Sequence, residues 1–486
     1  MLKEKSIKKN AILNMVASVA GTACSILSLP YVTRMLQPEN YGKVSYAQSF
    51  VGYFSLLAEL GILSYAMREC AAVREKKEKY QQLASQLFTI NVCAAVFSLI
   101  LLHIILFLIP GLKEYSFLIR ICSLTIVFDT IRVRWLYQSQ EDYAYLSLQG
   151  LASHIIILVM IFLCVKDTTD YIKYTWILLL PAVVPGIMNF VRSRKYCRLG
   201  LSFSRELKTH LPPILMIFAA NVSSGIYVGS DTVLLGYLDT AYAVGLYSVA
   251  VRIYETMKIL LSAALNVTIP RFCYYYNNGH HKEFKRLLNK IVNVVFIICV
   301  PALIGLIILS EEIVELIFGR AYLSAVLALQ LLSGALIFAV PSILLSQCVL
   351  ISMKKERVIF KATIFGAILN VLLNLILIPR YAHNAAAFTT FVSEMVVFGI
   401  YLYETRNQWR GILNIKSLFQ AIVSGILMGC IVMIVKNQID HLIVVIVAAI
   451  FSGIFSYFGI LFVFRNEFVC EYWSMLISRL IKKIKL

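Results

Sequence analysis

The chain has 486 residues, 60% of them hydrophobic, and its 45 Lys and Arg against 26 Asp and Glu give a net charge of +19. A mean hydropathy of +0.79 is more than the core of a soluble domain needs, so the composition excludes a soluble globular protein. The positive charge lies mostly between apolar stretches, which argues against nucleic-acid binding and for contact with an anionic membrane leaflet.

Fourteen apolar stretches run along the chain, each long enough to cross a bilayer. About 20 residues, at a helical rise of ~1.5 Å each, cover the ~30 Å hydrocarbon core. We therefore predict an all-α polytopic membrane protein with 14 transmembrane helices. The predicted spans are residues 10–32, 45–66, 83–109, 115–137, 145–165, 171–191, 211–236, 243–268, 289–309, 323–351, 358–378, 384–403, 416–435 and 441–463.

The loops between the spans differ in their content of Lys and Arg. Basic residues cluster before span 1 and after spans 2, 6, 8, 10, 12 and 14, for example Lys76, Lys77, Arg194, Lys195, Lys354 and Lys355. The intervening loops carry few basic residues. Because basic loops remain on the cytoplasmic side, both termini are predicted to be cytoplasmic.

The first six spans and the next six are predicted to be two copies of one unit. A shift of 203 positions superposes six identical pairs, namely Gly42 on Gly245, Ser45 on Ser248, Ala47 on Ala250, Leu57 on Leu260, Arg68 on Arg271 and Cys70 on Cys273. Six is an even number of spans, so the repeats are parallel and should form two lobes around a central cleft.

The predicted domains follow from this repeat. They are an N-terminal lobe over residues 1–200, a C-terminal lobe over 201–405, two extra helices over 406–464 and a basic amphipathic helix over 465–486. The last of these segments mixes apolar and basic residues as a helix on the inner leaflet would.

Ionisable residues inside apolar spans are costly, so they are candidate functional residues. Span 8 carries Arg252, Glu255 and Lys258 near its midpoint. Each charge there costs roughly 2.5–3.5 kcal/mol on the insertion scale and should face protein or a wet cavity. One interpretation is that Glu255 neutralises both neighbours. The other is a cationic cavity wall, because one carboxylate leaves one positive charge unmatched.

Span 4 supplies a second candidate, Arg120, with Asp129 lower on the same helix as its possible structural partner. Arg132 and Arg134 lie close to the cytoplasmic end of this span. We therefore expect their side chains to extend to the membrane interface and fix the topology rather than contact substrate.

Aromatic residues follow at the cytoplasmic turn between spans 4 and 5, where the chain carries Trp135, Tyr137, Tyr143 and Tyr145. The pattern is typical of an interfacial aromatic belt. A platform on which sugars stack is the alternative.

Three segments resemble one known family. They are LPYVTRMLQPENYGKVSYAQSF from Leu29 to Phe50, SDTVLLGYLDTAYAVGLYSVAVRIYE from Ser230 to Glu255, and NVLLNLILIPRYAHNAAAFTT from Asn370 to Thr390. Together with fourteen spans they are similar to the oligosaccharide flippases of the multidrug/oligosaccharidyl-lipid/polysaccharide exporter superfamily. In the third segment the family usually has Y-G and G-A-A where this chain has Tyr381-Ala382 and Asn384-Ala385.

The resemblance implies a transporter rather than an enzyme. Such proteins move a polyprenyl-diphosphate-linked oligosaccharide from the inner to the outer face of the bacterial cytoplasmic membrane by alternating access, without a cofactor. It implies a cationic cleft for the diphosphate, on which we place Arg252, Lys258, Arg120 and Arg34. Expected partners are the bilayer, the lipid-linked glycan and a polysaccharide polymerase or glycosyltransferase, and we expect a monomer.

A related flippase group uses spans 7, 11 and 12 to bind a coupling ion, and this chain has oxygen donors at similar depth in those spans. They are Asp231, Asn370, Asn374, Thr389 and Thr390. Carboxylate, amide and hydroxyl oxygens suit a small hard cation, so Na⁺ or H⁺ coupling is predicted here. The alternative is that Asp231 merely ends span 7 at the interface.

Two other functions remain open from the sequence. A multidrug exporter or a peptidoglycan-precursor (lipid II) flippase of the same superfamily would share the fold, although the first should favour acidic cavity residues. A polytopic glycosyltransferase or polysaccharide polymerase would normally present a sizeable outer loop, whereas the predicted outer loops here are short.

Overall fold

The computed structural model describes residues 7–409 and 414–470, and helices dominate both ranges. The α-helices are α1 (Ile7–Glu59), α2 (Ile62–Ala72), α3 (Lys77–Leu108), α4 (Ser116–Arg132), α5 (Arg134–Ser139), α6 (Tyr143–Cys164), α7 (Tyr171–Ile177), α8 (Leu180–Ser193), α9 (Leu207–Leu238), α10 (Ala241–Asn266), α11 (Ile269–Asn277), α12 (His281–Ile308), α13 (Ser310–Phe318), α14 (Val326–Ile343), α15 (Glu356–Glu404), α16 (Arg406–Trp409), α17 (Ile415–Gln438) and α18 (Leu442–Val463). A π-helical segment, Leu344–Leu350, continues α14.

Within the described ranges, nine helical segments are long and apolar enough to cross a membrane. The protein is therefore a multi-pass, all-helical membrane protein. Two of these segments are much longer than one crossing requires, with 60 residues in Leu13–Ala72 and 49 in Glu356–Glu404.

Both long helices contain a sharp break. In α1 the break is at Gln37, with φ 62° and ψ 166°, and in α15 it is at Ala382, with φ 48° and ψ −132°. Gln37 precedes Pro38, and the proline ring disfavours the α conformation for the residue before it. The first break is therefore encoded locally by the Gln-Pro pair.

The chain divides into two compact units, residues 1–245 and 246–486. In the first unit α1 packs against α3, α4, α6 and α9. Two buried side chains on α3 bond to the backbone of α1. Asn91 donates to the carbonyl oxygen of Ala58 at 2.9 Å, and Ser98 donates to that of Phe54 at 2.6 Å. These bonds satisfy polar groups that hydrocarbon could not.

In the second unit α14 packs along α12 and α15, while α17 and α18 pack on each other and on α12. Small residues allow the close approach of α17, where the Cα of Gly425 faces Val300 and Ile304 of α12. Residues 406–464, predicted as two extra helices, thus include a helical pair that packs on α12. Most of the predicted C-terminal amphipathic helix, residues 471–486, lies outside the described residues.

The prediction of an aromatic belt is wrong for two of its four members. Trp135 and Tyr137 are 3% and 0% exposed and belong to a buried cluster with residues of α2 and α3. The reason is that α4 ends at Arg132 and the next residue, Val133, has a φ of 38°, which turns the chain so that α5 packs against α2. The Tyr137 hydroxyl then donates to the carbonyl oxygen of Asn189 at 2.6 Å.

Candidate functional site

The three charged residues of α10 differ in whether they form an ion pair. The Lys258 ammonium nitrogen lies 2.6 Å from the Glu255 carboxylate and 4.8 Å from the centre of the Tyr254 ring. Arg252 is exposed, and its guanidinium forms no ion pair within the described part of the chain. Glu255 therefore neutralises Lys258 alone, and Arg252 remains the unmatched cation of this apolar helix.

The other two residues predicted for the cleft lie in the first unit. Arg34 on α1 and Arg120 on α4 are both exposed. The suggested pairing of Arg120 with Asp129 is wrong, because the Asp129 carboxylate lies 3.4 Å from Arg132, one turn further along α4. A nine-residue separation along a helix is too long for that pair, whereas i and i+3 share a face. That all four cations line one cleft stays a prediction.

Three of the residues predicted for ion coupling form a closed ring of hydrogen bonds within α15. Asn370 donates to the Thr389 hydroxyl at 3.4 Å, Thr389 donates to the Asn374 side-chain oxygen at 2.6 Å, and Asn374 donates back to Asn370 at 3.1 Å. All three side chains are buried. The break at Ala382 brings the two halves of α15 together and so creates the ring. A cation bound here would share or replace these bonds.

Thr390 takes no part in the three-residue ring. Its hydroxyl donates to the Ala386 carbonyl oxygen at 3.0 Å and lies 3.3 Å from the Tyr247 hydroxyl. One turn further along, the buried carboxylate of Glu394 accepts a hydrogen bond from Tyr254 at 3.1 Å. These contacts join α10 to the second half of α15 by polar groups.

The sequence reasoning missed Glu394 and Tyr254. A carboxylate eleven residues into an apolar span is the signal that could have identified Glu394, by the same rule that singled out Arg252. Tyr254 carried no such signal, because tyrosines are common in this chain. Through Tyr254, Glu394 on α15 is connected to Lys258 on α10.

Asp231, the fifth predicted ion ligand, lies in the first unit and is 4% exposed. We expect Asp231→Asn to reduce ion-dependent transport in proteoliposomes by about tenfold or more, because the amide removes the charge that attracts a cation. Transport at varied Na⁺ and pH measures this.

Asp239→Asn, eight residues later in the chain, is the matched control and should keep the ion dependence of the wild type. Equal ion dependence in wild type and Asp231→Asn would show that the coupling site lies elsewhere.

Comparison with known proteins identifies the family. Residues 7–275, more than half of the chain, match the family described as polysaccharide biosynthesis protein. The chain belongs to this family. This match covers the first two of the three segments and, together with the relatives below, confirms the resemblance to transporters rather than enzymes.

Two relatives of this chain match it over nearly their whole length. A putative O-antigen transporter of Escherichia coli strain K12 is 22% identical over 414 residues, covering 83% of this chain and 97% of the relative. The capsular polysaccharide biosynthesis protein CapF of Staphylococcus aureus is 21% identical over 401 residues, covering 81% and 98%.

Solved structures show the same fold. The lipid II flippase MurJ in an inward closed conformation aligns with a TM-score of 0.78 at 16% identity, over 94% of this chain and 100% of that one. An inward-facing multidrug resistance MATE transporter of the MOP superfamily aligns with a TM-score of 0.62 at 14% identity, over 83% and 98%. At these identities the likeness concerns the fold alone.

Proposed function

We propose that this protein moves a polyprenyl-diphosphate-linked oligosaccharide, the repeat unit of a cell-surface polysaccharide, from the inner to the outer leaflet of the bacterial cytoplasmic membrane. The observation that carries the proposal is Arg252, an exposed guanidinium on an apolar helix whose neighbouring carboxylate is already paired. Such a cation matches the two phosphates that link glycan to lipid. The names of the relatives, an O-antigen transporter and a capsular polysaccharide protein, support this substrate class.

The chemistry of the lipid-linked glycan explains why we propose a cleft that opens alternately to the two sides of the membrane. The glycan and its phosphates cannot enter hydrocarbon without a large desolvation penalty, while the lipid tail can stay in the bilayer. A cleft that opens alternately to the two sides supplies polar contacts to the head group throughout the crossing. No bond is made or broken, so the residues need only bind, release and rearrange.

We also propose the fourteen-span topology. A straight helix as long as α1, with 53 residues, would extend ~80 Å at ~1.5 Å per residue, more than twice the ~30 Å hydrocarbon core. The breaks at Gln37 and Ala382 divide α1 and α15 into two spans each, close to the loops predicted between spans 1 and 2 and between spans 11 and 12.

A reciprocal contact supports the proposed six-helix repeat. A Cβ atom on Gly42 would collide with the carbonyl oxygen of Ala241, and one on Gly245 would collide with that of Pro38. Pro38 and Gly42 each precede their partners in the repeat, Ala241 and Gly245, by the 203 positions of the sequence alignment. Equivalent positions of the proposed repeat thus make equivalent close contacts, all within the first unit.

The proposed topology predicts the side on which each loop lies. Reporters fused after Lys113, Asp239 and Arg380 should report the outside, and those fused after Lys77, Lys195 and Lys355 should report the cytoplasm. The physical reason is the bias of Lys and Arg toward cytoplasmic loops. Two consecutive loops reporting the same side would contradict fourteen spans with both termini inside.

Expression in bacteria that lack their own O-antigen flippase tests the proposed function. We expect restored display of the glycan on the cell surface and less lipid-linked glycan in the inner leaflet. Rescue of a strain depleted of its lipid II flippase, without rescue of glycan display, would instead favour a peptidoglycan precursor as substrate. Longer glycan chains without a change in their leaflet would indicate a polymerase.

A further inference from the structure

The first unit contains a cavity of about 110 Å³ lined by charged and polar groups at the ends of α1, α4 and α5. Two carboxylates, of Glu59 and Asp129, face two guanidiniums, of Arg132 and Arg134. The cavity thus combines cations with acceptors of hydrogen bonds. Arg132 and Arg134, which the sequence placed at the membrane interface, both line this cavity.

The wall of this charged cavity contains hydrogen-bond donors that have no partner among the described residues. Trp135 lines it and is buried. Among the described residues, neither the indole nitrogen of Trp135 nor the Nε of Arg132 has a hydrogen-bond partner. Buried donors without partners are rare in native proteins. Beside them Val133 adopts a φ of 38°, which is strained for a β-branched residue. Strain and orphaned donors together favour a binding site.

An apolar groove of about 420 Å³ runs on the other side of the same helix turn, between α1, α3 and α9. Leu57 and Leu60 line this groove, whereas Ala58 and Glu59 line the charged cavity. On α3, Ile90 likewise lines the groove and its neighbour Asn91 the cavity. A single wall therefore separates a charged compartment from an apolar one.

The shared wall ends in a break of the helix. Leu60 and Gly61 both have positive φ, of 46° and 75°. A Cβ on Gly61 would collide with Ile217 of α9, so this turn packs directly against the helix that closes the groove. The groove itself opens to the outside of the unit, where Phe97 and Phe203 are 59% and 74% exposed.

We propose that the charged cavity and the apolar groove form a two-part site on either side of this turn of α1. The cavity, about 110 Å³ in volume, receives the phosphates of the lipid-linked substrate when it enters from the inner leaflet, and the isoprenoid tail passes around the turn into the groove. The proposal rests on the proposed function and names where its substrate first binds. Guanidiniums suit the phosphates of a sugar diphosphate and carboxylates accept from sugar hydroxyls. The uniformly apolar groove suits a hydrocarbon chain, which gains nothing from polar partners.

Native cysteines allow a direct test. Cys93 lines the groove and is exposed, and Cys430 on α17 is exposed elsewhere. Two single-cysteine variants, one that retains only Cys93 and one that retains only Cys430, are labelled with a nitroxide and placed in phosphatidylcholine nanodiscs. A polyprenyl-diphosphate-linked monosaccharide should immobilise the label at Cys93 and leave that at Cys430 unchanged. The same-length polyprenol, which lacks the head group, should require a concentration at least about tenfold higher.

Substitutions in the charged cavity test the head group. Glu59→Gln and Arg134→Gln should each raise the concentration of the lipid-linked monosaccharide needed at Cys93 by roughly tenfold, since each removes a charged hydrogen-bonding partner. The response to polyprenol should not change. Equal potency of the two lipids, an equal response at Cys430, or unaltered binding in both variants would overturn the two-part site.

Photo-crosslinking in the otherwise unchanged chain covers the case in which the single-cysteine variants do not fold. Phe97 replaced by p-benzoylphenylalanine should crosslink the lipid-linked monosaccharide, and Phe455, 74% exposed on α18, serves as the matched control. Absence of crosslinking at position 97, in a protein that restores glycan display, would overturn this site and leave the proposed function standing. Crosslinking at position 97 in a protein that fails to restore glycan display would support this site and overturn the proposed function.

Discussion

Arg252→Gln is expected to abolish the restoration of glycan display while leaving the amount of protein in the membrane near that of the wild type. The substitution removes a charge whose insertion into the membrane is costly, so folding should not suffer. It also removes charge-assisted hydrogen bonds to phosphate worth about 1.5–3 kcal/mol, which corresponds to a roughly 10- to 150-fold loss of binding. Surface glycan and immunoblots of the membrane fraction measure the two effects separately.

Two further variants define the role of Arg252. Arg252→Lys keeps the charge but loses the planar fork that binds phosphate in a bidentate manner, so it should retain part of the activity. Arg286→Gln, on an exposed residue near the start of α12, removes a positive charge away from α10 and should behave as wild type. Normal glycan display by Arg252→Gln would return Arg252 to a structural role.

Gly42→Ala and Gly245→Ala are expected to lower the stability of the folded protein strongly. At both positions an added Cβ atom would collide with a backbone carbonyl of the facing segment, which cannot rotate away as a side chain could. Overpacking of this kind costs about 1–3 kcal/mol, a large part of the ~5–15 kcal/mol by which a typical domain is stable. Thermal unfolding of the purified variants and their abundance in the membrane measure the loss.

Gly52→Ala is the matched control for the glycine pair. Gly52 lies ten residues beyond Gly42 in α1, and an added Cβ would have no neighbour within 4 Å. Alanine has the higher helix propensity, so this variant should be as stable as the wild type or slightly more so. If Gly42→Ala were equally harmless, the close approach of the two segments would be absent from the folded protein.

The family and the membrane-spanning class could be predicted from the sequence because both depend on local patterns. Apolar runs of about 20 residues indicate spans whatever their neighbours are, since the bilayer requires that length. The motif around Gln37 and Pro38 specifies the first helix break by local sterics. The 203-residue offset between Gly42 and Gly245 was also visible in the sequence. The equivalent close contacts of these two glycines support the interpretation of this offset as an internal repeat.

Only the tertiary structure decided which charges and polar groups meet. The sequence placed Arg252, Glu255 and Lys258 together on α10, but the pairing of Glu255 with Lys258 depends on side-chain geometry and on the Tyr254 ring beside it. The sequence likewise placed Arg132 and Arg134 at the interface, and it could not show that the chain turns at Val133 so that both line one cavity with Glu59. Hydropathy is a property of each segment, whereas a pair or a cavity is a property of several segments packed together, and this is why the first could be predicted and the second could not.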